Sequence, residues 1–222
     1  MSGISPEGLW LAIDGIDTVG KSTQVELVTK GLTAVGVKPV VSVPEFSNSI
    51  VGQTIKTILE QKAFYSLTDD NSAPLADTIH LLSDMVYQYE TSISPIVTRG
   101  GVAVADRGPA SFVAYQGLRI EERSSNFEPE AAFSWTETLA RHCFITPNLT
   151  VLIKIPKAEL IRRMTIRGGY SSGEGALAFL SRVDDTIEQI ARRVSQEVVI
   201  LDGCKPMDKI ANDIITLCLD RL

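Results

Sequence analysis

Short, uninterrupted apolar runs alternate along the chain with longer segments whose apolar positions recur every three or four residues. The run over 8–14, Gly-Leu-Trp-Leu-Ala-Ile-Asp, has the continuous hydrophobicity of a strand buried on both faces. Comparable runs over 37–43, 101–106, 149–155 and 198–201 predict four more strands. Helical spacing predicts helices over 21–35, 50–61, 74–98, 129–142, 157–167, 176–194 and 207–222, with a short one at 108–116. Gly36 stops the first helix, Pro74 suits a first helical turn, and Pro95 should end or kink the long third one. Residues 65–73 read as a loop, 119–128 as a polar mobile segment and 168–175 as a flexible Gly/Ser-rich loop. Strands alternating with helices call for a parallel sheet covered on both faces. The expectation is a three-layer α/β fold, with a five-stranded parallel sheet, in a single domain over 1–222.

Composition narrows the field. At 222 residues, with 44% apolar and 22% charged positions, the chain is neither disordered nor collagen-like nor a coiled coil. That length buries a core without a metal or disulfide staple. A net charge of −6 disfavours nucleic acid and anionic membranes as partners, so an anionic substrate must be attracted by a local site. Cys143, Cys204 and Cys218 are odd in number and share no C-x-x-C spacing, which reads as free thiols in a reducing compartment. No basic and apolar leader precedes the first strand, and no apolar stretch approaches the roughly 20 residues of a membrane span. The expectation is a soluble, cytoplasmic protein.

The chemistry begins at Gly15-Ile16-Asp17-Thr18-Val19-Gly20-Lys21-Ser22, which fits G-x-x-x-x-G-K-[ST] completely, with Thr23 following it. A buried strand ends at Asp14 and a helix begins near Lys21, which is the setting this phosphate cradle requires. Gly15 and Gly20 let successive N–H groups converge on a phosphate. Lys21 reaches the β- and γ-phosphates of ATP, and the Ser22 hydroxyl suits Mg²⁺. The N-K-x-D run of guanine-reading switch proteins is absent, and the chain is short for a motor ATPase. A small-molecule kinase remains.

Read from Asp14 to Gln24, the chain resembles thymidylate kinases, whose loop runs roughly E-G-x-D-x-x-G-K-S-T-Q. Asp106-Arg107, Ser111 and Ala114-Tyr115-Gln116-Gly117 are similar to the family's D-R-[YF]-x-x-S-x-x-A-Y-Q-G. Pro147-Asn148-Leu149-Thr150, the pair Arg163 and Arg167-Gly168, and Leu201-Asp202-Gly203 extend the resemblance over essentially the whole chain. It implies a P-loop kinase fold with a lid at about 167–176, Mg²⁺ and ATP as cofactor and donor, and a homodimer packed through the long helices. Ile79, Leu82, Val86 and Tyr89 would supply that face, although the same spacing is equally a core stripe. It further implies that Asp17 faces the acceptor, that Asp106 organises Mg²⁺, and that Arg107 binds the acceptor or the phosphoryl group in flight. Ser111, Tyr115 and Gln116 would line the base pocket, with Glu45 beside them. Arg163 and Arg167 would sit near ATP at the lid base. His80 and His142 read as structural.

The departures concern the acceptor. Pro44 stands where the family's T-R-E-P-G has the Arg that grips the acceptor phosphate. Leu81 and Met85 stand where L-L-F-x-A-D-R has the Phe that stacks on the base and the Arg that contacts it. Thr18 and Ser172 occupy the two positions from which the family draws a catalytic arginine, leaving Arg163, Arg167 or Arg182 as substitutes. The leading expectation is phosphoryl transfer from ATP to a nucleoside monophosphate, dTMP first. The alternatives are a same-fold kinase of a nucleoside or another hydroxylated acceptor, with Glu45, Asp17 or Asp106 as base, and a degenerate nucleotide-binding protein.

Overall fold

The computed structural model describes residues 8–61, 65–68, 70, 72–124, 127–143, 146–167 and 174–222. The strands are β1 (Leu9–Asp14), β2 (Val40–Val43), β3 (Val102–Asp106), β4 (Leu149–Lys154) and β5 (Glu197–Asp202). They form one sheet in the order β2-β3-β1-β4-β5, with every neighbouring pair parallel. The helices are α1 (Lys21–Ala34), α2 (Ile50–Gln61), α3 (Pro74–Gln88), α4 (Ser94–Val97), α5 (Pro109–Arg123), α6 (Pro129–Cys143), α7 (Lys157–Arg167), α8 (Glu174–Val194) and α9 (Met207–Leu219).

The apolar runs became the central strands because helices cover both sheet faces. All of β1 and β3 is buried, and so is β4 up to Ile153. Leu11, Ile13, Val102, Val104, Leu149 and Leu152 have no exposed surface. The edge strands β2 and β5 are only partly buried. Ile13 pairs with Asp106, so the carboxyl ends of β1 and β3 finish side by side. The chain leaves β1 for β2 and returns through β3 before crossing to β4, which makes the carboxyl edge of β1 the place where an open sheet of this kind binds its ligand.

Three expectations need correction. The second strand starts at Val40 rather than at 37. The long third helix is interrupted by a π-helical turn, Tyr89–Ile93, and Pro95 falls within the first turn of α4, where its missing N–H is harmless. The stretch from 119 is not a mobile segment: α5 continues to Arg123, and Leu118, Arg119 and Ile120 are buried. The polar look of 119–123 misleads because its charges have distant partners. Arg119 meets Asp77, while Glu121 and Glu122 meet Arg182 of α8.

Candidate functional site: a phosphate cradle joined to an acceptor cavity

Gly15 and Gly20 adopt left-handed φ angles of 139° and 100°. A Cβ at 15 would lie 2.5 Å from the Ile153 carbonyl oxygen, so only glycine lets the loop leave β1 here. Thr18 takes the same region without that freedom, at φ 69°. Gly20 caps α1 without a side-chain hydrogen bond, so the first N–H groups of the helix face outward, as anion binding requires. Ile16 and Val19 anchor the loop in the core, while Ser22 and Thr23 are exposed on its rim.

Lys21 is 6% exposed and donates to the Ile16 carbonyl at 2.9 Å. Burial first, then the neighbouring Arg107, lower its ammonium to about 8, against the pull of Asp17, Glu45 and Asp106. Ser22 donates to Oδ2 of Asp106 at 2.5 Å. The other oxygen of that carboxylate, Oδ1, is buried with no hydrogen-bond partner among the described residues. A buried carboxylate oxygen without a donor beside a P-loop serine fits Mg²⁺, which prefers one or two carboxylates plus substrate phosphates.

Arg107 follows Asp106 in a left-handed conformation, φ 78°, unusual for a residue with a side chain. Its Nε donates to Glu45 at 2.6 Å, NH1 to the Gly15 carbonyl at 3.0 Å and Ser111 at 3.2 Å, and NH2 to Asp17. The guanidinium also lies 5.0 Å from the centre of the Tyr115 ring. Burial opposes the charge, yet Glu45, Tyr115 and Asp17 outweigh it and hold the guanidinium firmly protonated. Asp14, with no exposed surface, accepts from the Gly108 N–H at 3.2 Å and from the Ser111 hydroxyl, which locks the turn from β3 into α5.

From Arg107 the chain enters α5, and Ser111, Tyr115 and Arg119 follow at intervals of four, one stripe of the helix. With Gln116 and Phe112 this stripe lines a cavity of about 740 Å³ that also takes in Asp17, Thr18 and Gly20 to Thr23. A volume of that order suits substrate-sized ligands. Glu45, Phe46, Tyr65, Leu81, Met85 and Tyr89 line the opposite wall. Residues 46–49 are held there by Asp84, which accepts from the Ser47 N–H at 2.9 Å, the Ser47 hydroxyl at 2.5 Å and Ser49 at 3.2 Å.

The Thr78 hydroxyl donates to the Pro74 carbonyl at 2.7 Å and meets the Gln116 side-chain carbonyl oxygen at 3.3 Å, which ties Gln116 of α5 to α3 beside the cavity.

The structure gathers Lys21, Asp17, Ser22, Asp106, Arg107, Glu45, Ser111, Tyr115, Gln116, Leu81 and Met85 around one chamber. Arg163 lies behind it, donating to the carbonyls of Thr18 and Val19 at 3.3 Å each and of Gly203 at 2.8 Å, and paired with Glu159 at 2.6 Å. That arrangement braces the P-loop. Arg182 is engaged by Glu121 and Glu122. Of the lid expected over 167–176, residues 174–176 form the start of α8, while the side chain of Arg167 and residues 168–173, Ser172 included, lie outside the described residues. Sequence reasoning missed Asp14, Phe46, Tyr65, Thr78, Asp84 and Arg119. Of these, only the fit of Asp84 to the aspartate of L-L-F-x-A-D-R was a readable signal.

Compared with known proteins, the family model described as thymidylate kinase matches residues 13–214. The chain belongs to the thymidylate kinase family. Among its relatives, the thymidylate kinase of Prochlorococcus marinus is 30% identical over 193 residues, covering 84% of this chain and 82% of that one. The probable thymidylate kinase of Methanococcoides burtonii is 26% identical over 209 residues, covering 94% and 95%. The crystal structure of thymidylate kinase from Ehrlichia chaffeensis superposes with a TM-score of 0.68 at 18% identity, covering 96% of this chain and 100% of that one. That likeness carries the fold, and the family match makes this thymidylate kinase relative a phosphotransferase. Among the described residues no helix is long and apolar enough to cross a membrane.

Proposed function

We propose that this chain transfers the γ-phosphoryl group of ATP to the 5′-phosphate of dTMP, giving ADP and dTDP. The observation that carries the reading is the single chamber in which the phosphate cradle and the α5 stripe meet, with Arg107 at their junction. Two phosphorylated ligands entering from opposite ends would bring their phosphates together at that guanidinium.

An acceptor phosphate oxygen is already ionised, so no base is needed, and catalysis reduces to positioning and charge. The α1 amides and Lys21 hold the donor phosphates, and Arg107 grips the acceptor phosphate. Asp17 and Glu45 keep that guanidinium oriented until the phosphate arrives. Ser22 and Asp106 would hold Mg²⁺, which supplies charge neutralisation between the phosphates when bound. Asp14 fixes the Arg107 turn through Gly108 and Ser111.

A cytosolic homodimer belongs to the same proposal. Three cysteines without a disulfide among the described residues suit a reducing compartment. Ile79 and Tyr87 of α3 are 54% and 47% exposed, and Ile50 at the start of α2 is 87% exposed, which supports an apolar contact face there. Leu82 faces the core instead, at 7% exposure.

The test is ADP release from Mg·ATP against a panel pairing each nucleoside with its monophosphate. Turnover that depends on dTMP and is far lower with thymidine supports the reading. Turnover with thymidine alone would move the acceptor to a hydroxyl, and ATP binding without transfer to any member would leave a nucleotide-binding protein.

A further inference from the structure

Arg107 carries one positive charge and holds two carboxylates. Its Nε donates to Oε1 of Glu45 at 2.6 Å, NH1 to the Gly15 carbonyl and Ser111, and NH2 to Asp17. A guanidinium has five N–H groups, so one hydrogen on NH2 is left over among the described residues. The Glu45 and Asp17 side chains are each 36% exposed, and Oε2 of Glu45 receives no hydrogen bond from a described residue.

Glu45 is fixed where the acceptor must arrive. Gln88 donates to its backbone carbonyl at 3.4 Å, and Asp84 holds the Ser47 N–H at 2.9 Å, so the loop does not carry the carboxylate away. Its wall of the chamber adds Glu60 and, among the described residues, no cation; Pro44 and Phe46 flank Glu45. The other titratable groups around this space are Asp17 and Lys21 of the cradle, Asp106 and Arg107 at the end of β3, and Tyr115 of α5, a phenol pushed up by burial. A doubly charged phosphate at Arg107 therefore sets an anionic oxygen against Oε2 of Glu45, and like charges that close repel strongly in a partly buried site. A hydrogen between the two oxygens turns that repulsion into a hydrogen bond.

We propose that the acceptor site takes the monophosphate as its monoanion, with the phosphate hydroxyl donating to Oε2 of Glu45 and an ionised oxygen accepting from Arg107. This rests on the monophosphate reading above. The monoanion keeps an ionised oxygen for the attack, so Glu45 removes no proton and still orients Arg107 through Oε1. The proton stays on an oxygen that does not attack and leaves with the product. A phosphate ester loses its second proton near pH 6, so at pH 7 about nine-tenths of the acceptor is dianion and must take up a proton to bind.

The test is calorimetric titration of dTMP into the full chain at pH 7, in buffers of different ionisation enthalpy, which counts the protons taken up on binding. The expected uptake is about 0.9 proton per site. Lys21, lowered to about 8, is already about nine-tenths protonated at pH 7 and adds only about 0.1. An uptake no greater than that share overturns the proposal, because the dianion is then what binds. Glu45→Gln puts an amide N–H where Oε2 stood, which suits the dianion. Its uptake should fall to the Lys21 share, and its affinity for dTMP at pH 7.5 should exceed that of the wild type. Uptake equal to the wild type's overturns the assignment to Glu45. Should the variant fail to fold, the wild-type Kd decides: it should rise about eightfold from pH 6.5 to 7.5, and a flat profile overturns the proposal. If dTMP neither binds nor is phosphorylated, the monophosphate reading fails; if it binds without proton uptake, only this inference does.

Discussion

Ser22 donates its hydroxyl hydrogen to Oδ2 of Asp106 at 2.5 Å, joining two residues 84 positions apart at the carboxyl edge of the sheet. One oxygen of the carboxylate is thereby occupied and the other, Oδ1, is buried without a donor. On the proposed reading, that oxygen is where the carboxylate would meet Mg²⁺. Asp106→Asn keeps the shape and removes the charge. Its kcat should fall by about 10²–10³, as when one preorganised electrostatic group is lost, with little change in melting temperature. Magnesium titration of the variant checks this: the half-saturating concentration should rise together with the loss of rate.

Lys21 makes two pH dependences of opposite sign. Its ammonium is lowered from 10.5 to about 8 by burial and by Arg107, so between those values the unfolded chain binds the additional proton. Through this group, ligand-free stability rises with pH across that window. Phosphate binding needs the cation, so kcat/KM for ATP falls as pH passes about 8. Melting curves from pH 7 to 10 should show the first trend in wild type and lose it in Lys21→Met.

Glu45 tests the acceptor. With a phosphate acceptor it only orients Arg107, and Glu45→Gln, which can still accept from Nε, should keep kcat within about tenfold of wild type. A loss on the order of 10³ or more would identify it as a base and the acceptor as a hydroxyl. Single-turnover measurements with saturating nucleotide separate the two.

How far the site was legible follows from how each part is assembled. The phosphate cradle is one contiguous stretch, 15–22, and it could be read outright; so could β1, β3 and β4, whose apolar runs are continuous because both faces are covered. The acceptor wall is built from 44–49, 65–68, α3 and α5, and its key contacts join residues far apart. Asp84 meets Ser47 across 37 positions and Arg119 meets Asp77 across 42. Local composition carries no trace of such pairings, so Arg119 reads as the start of a polar mobile segment. The partners of Arg182 were hidden in the same way, 60 and 61 positions away.

Asp84 should show the effect of loosening that wall. Asp84→Ala leaves the Ser47 N–H and hydroxyl without their acceptor, at a cost of about 1–3 kcal/mol in stability. It should raise KM for the acceptor several-fold while kcat stays close to wild type. Acceptor titrations at saturating ATP report the split.

Gly117 fixes how closely α5 can approach α6. A Cβ there would lie 2.5 Å from Cδ1 of Phe133, so Gly117→Ala forces the two helices apart. Overpacking of this kind destabilises by about 1–3 kcal/mol, measurable by denaturant unfolding. Because Gln116 and Arg119 line the cavity beside this contact, KM for the acceptor should rise along with the loss of stability.

The two sides of the chamber differ in what must break for them to open. The cradle hangs from β1, whose amides are buried and paired within the sheet and exchange with solvent only when the sheet itself unfolds. The wall over 44–49 and 65–68 rests on a few buried hydrogen bonds to Asp84, Asp77 and Arg119, and these can let go while the sheet stays intact. Opening of that wall is expected to be a local event, with its own equilibrium constant and largely independent of global stability. A second ligand in the chamber would slow deuterium uptake selectively in those two segments and leave β1 as it was.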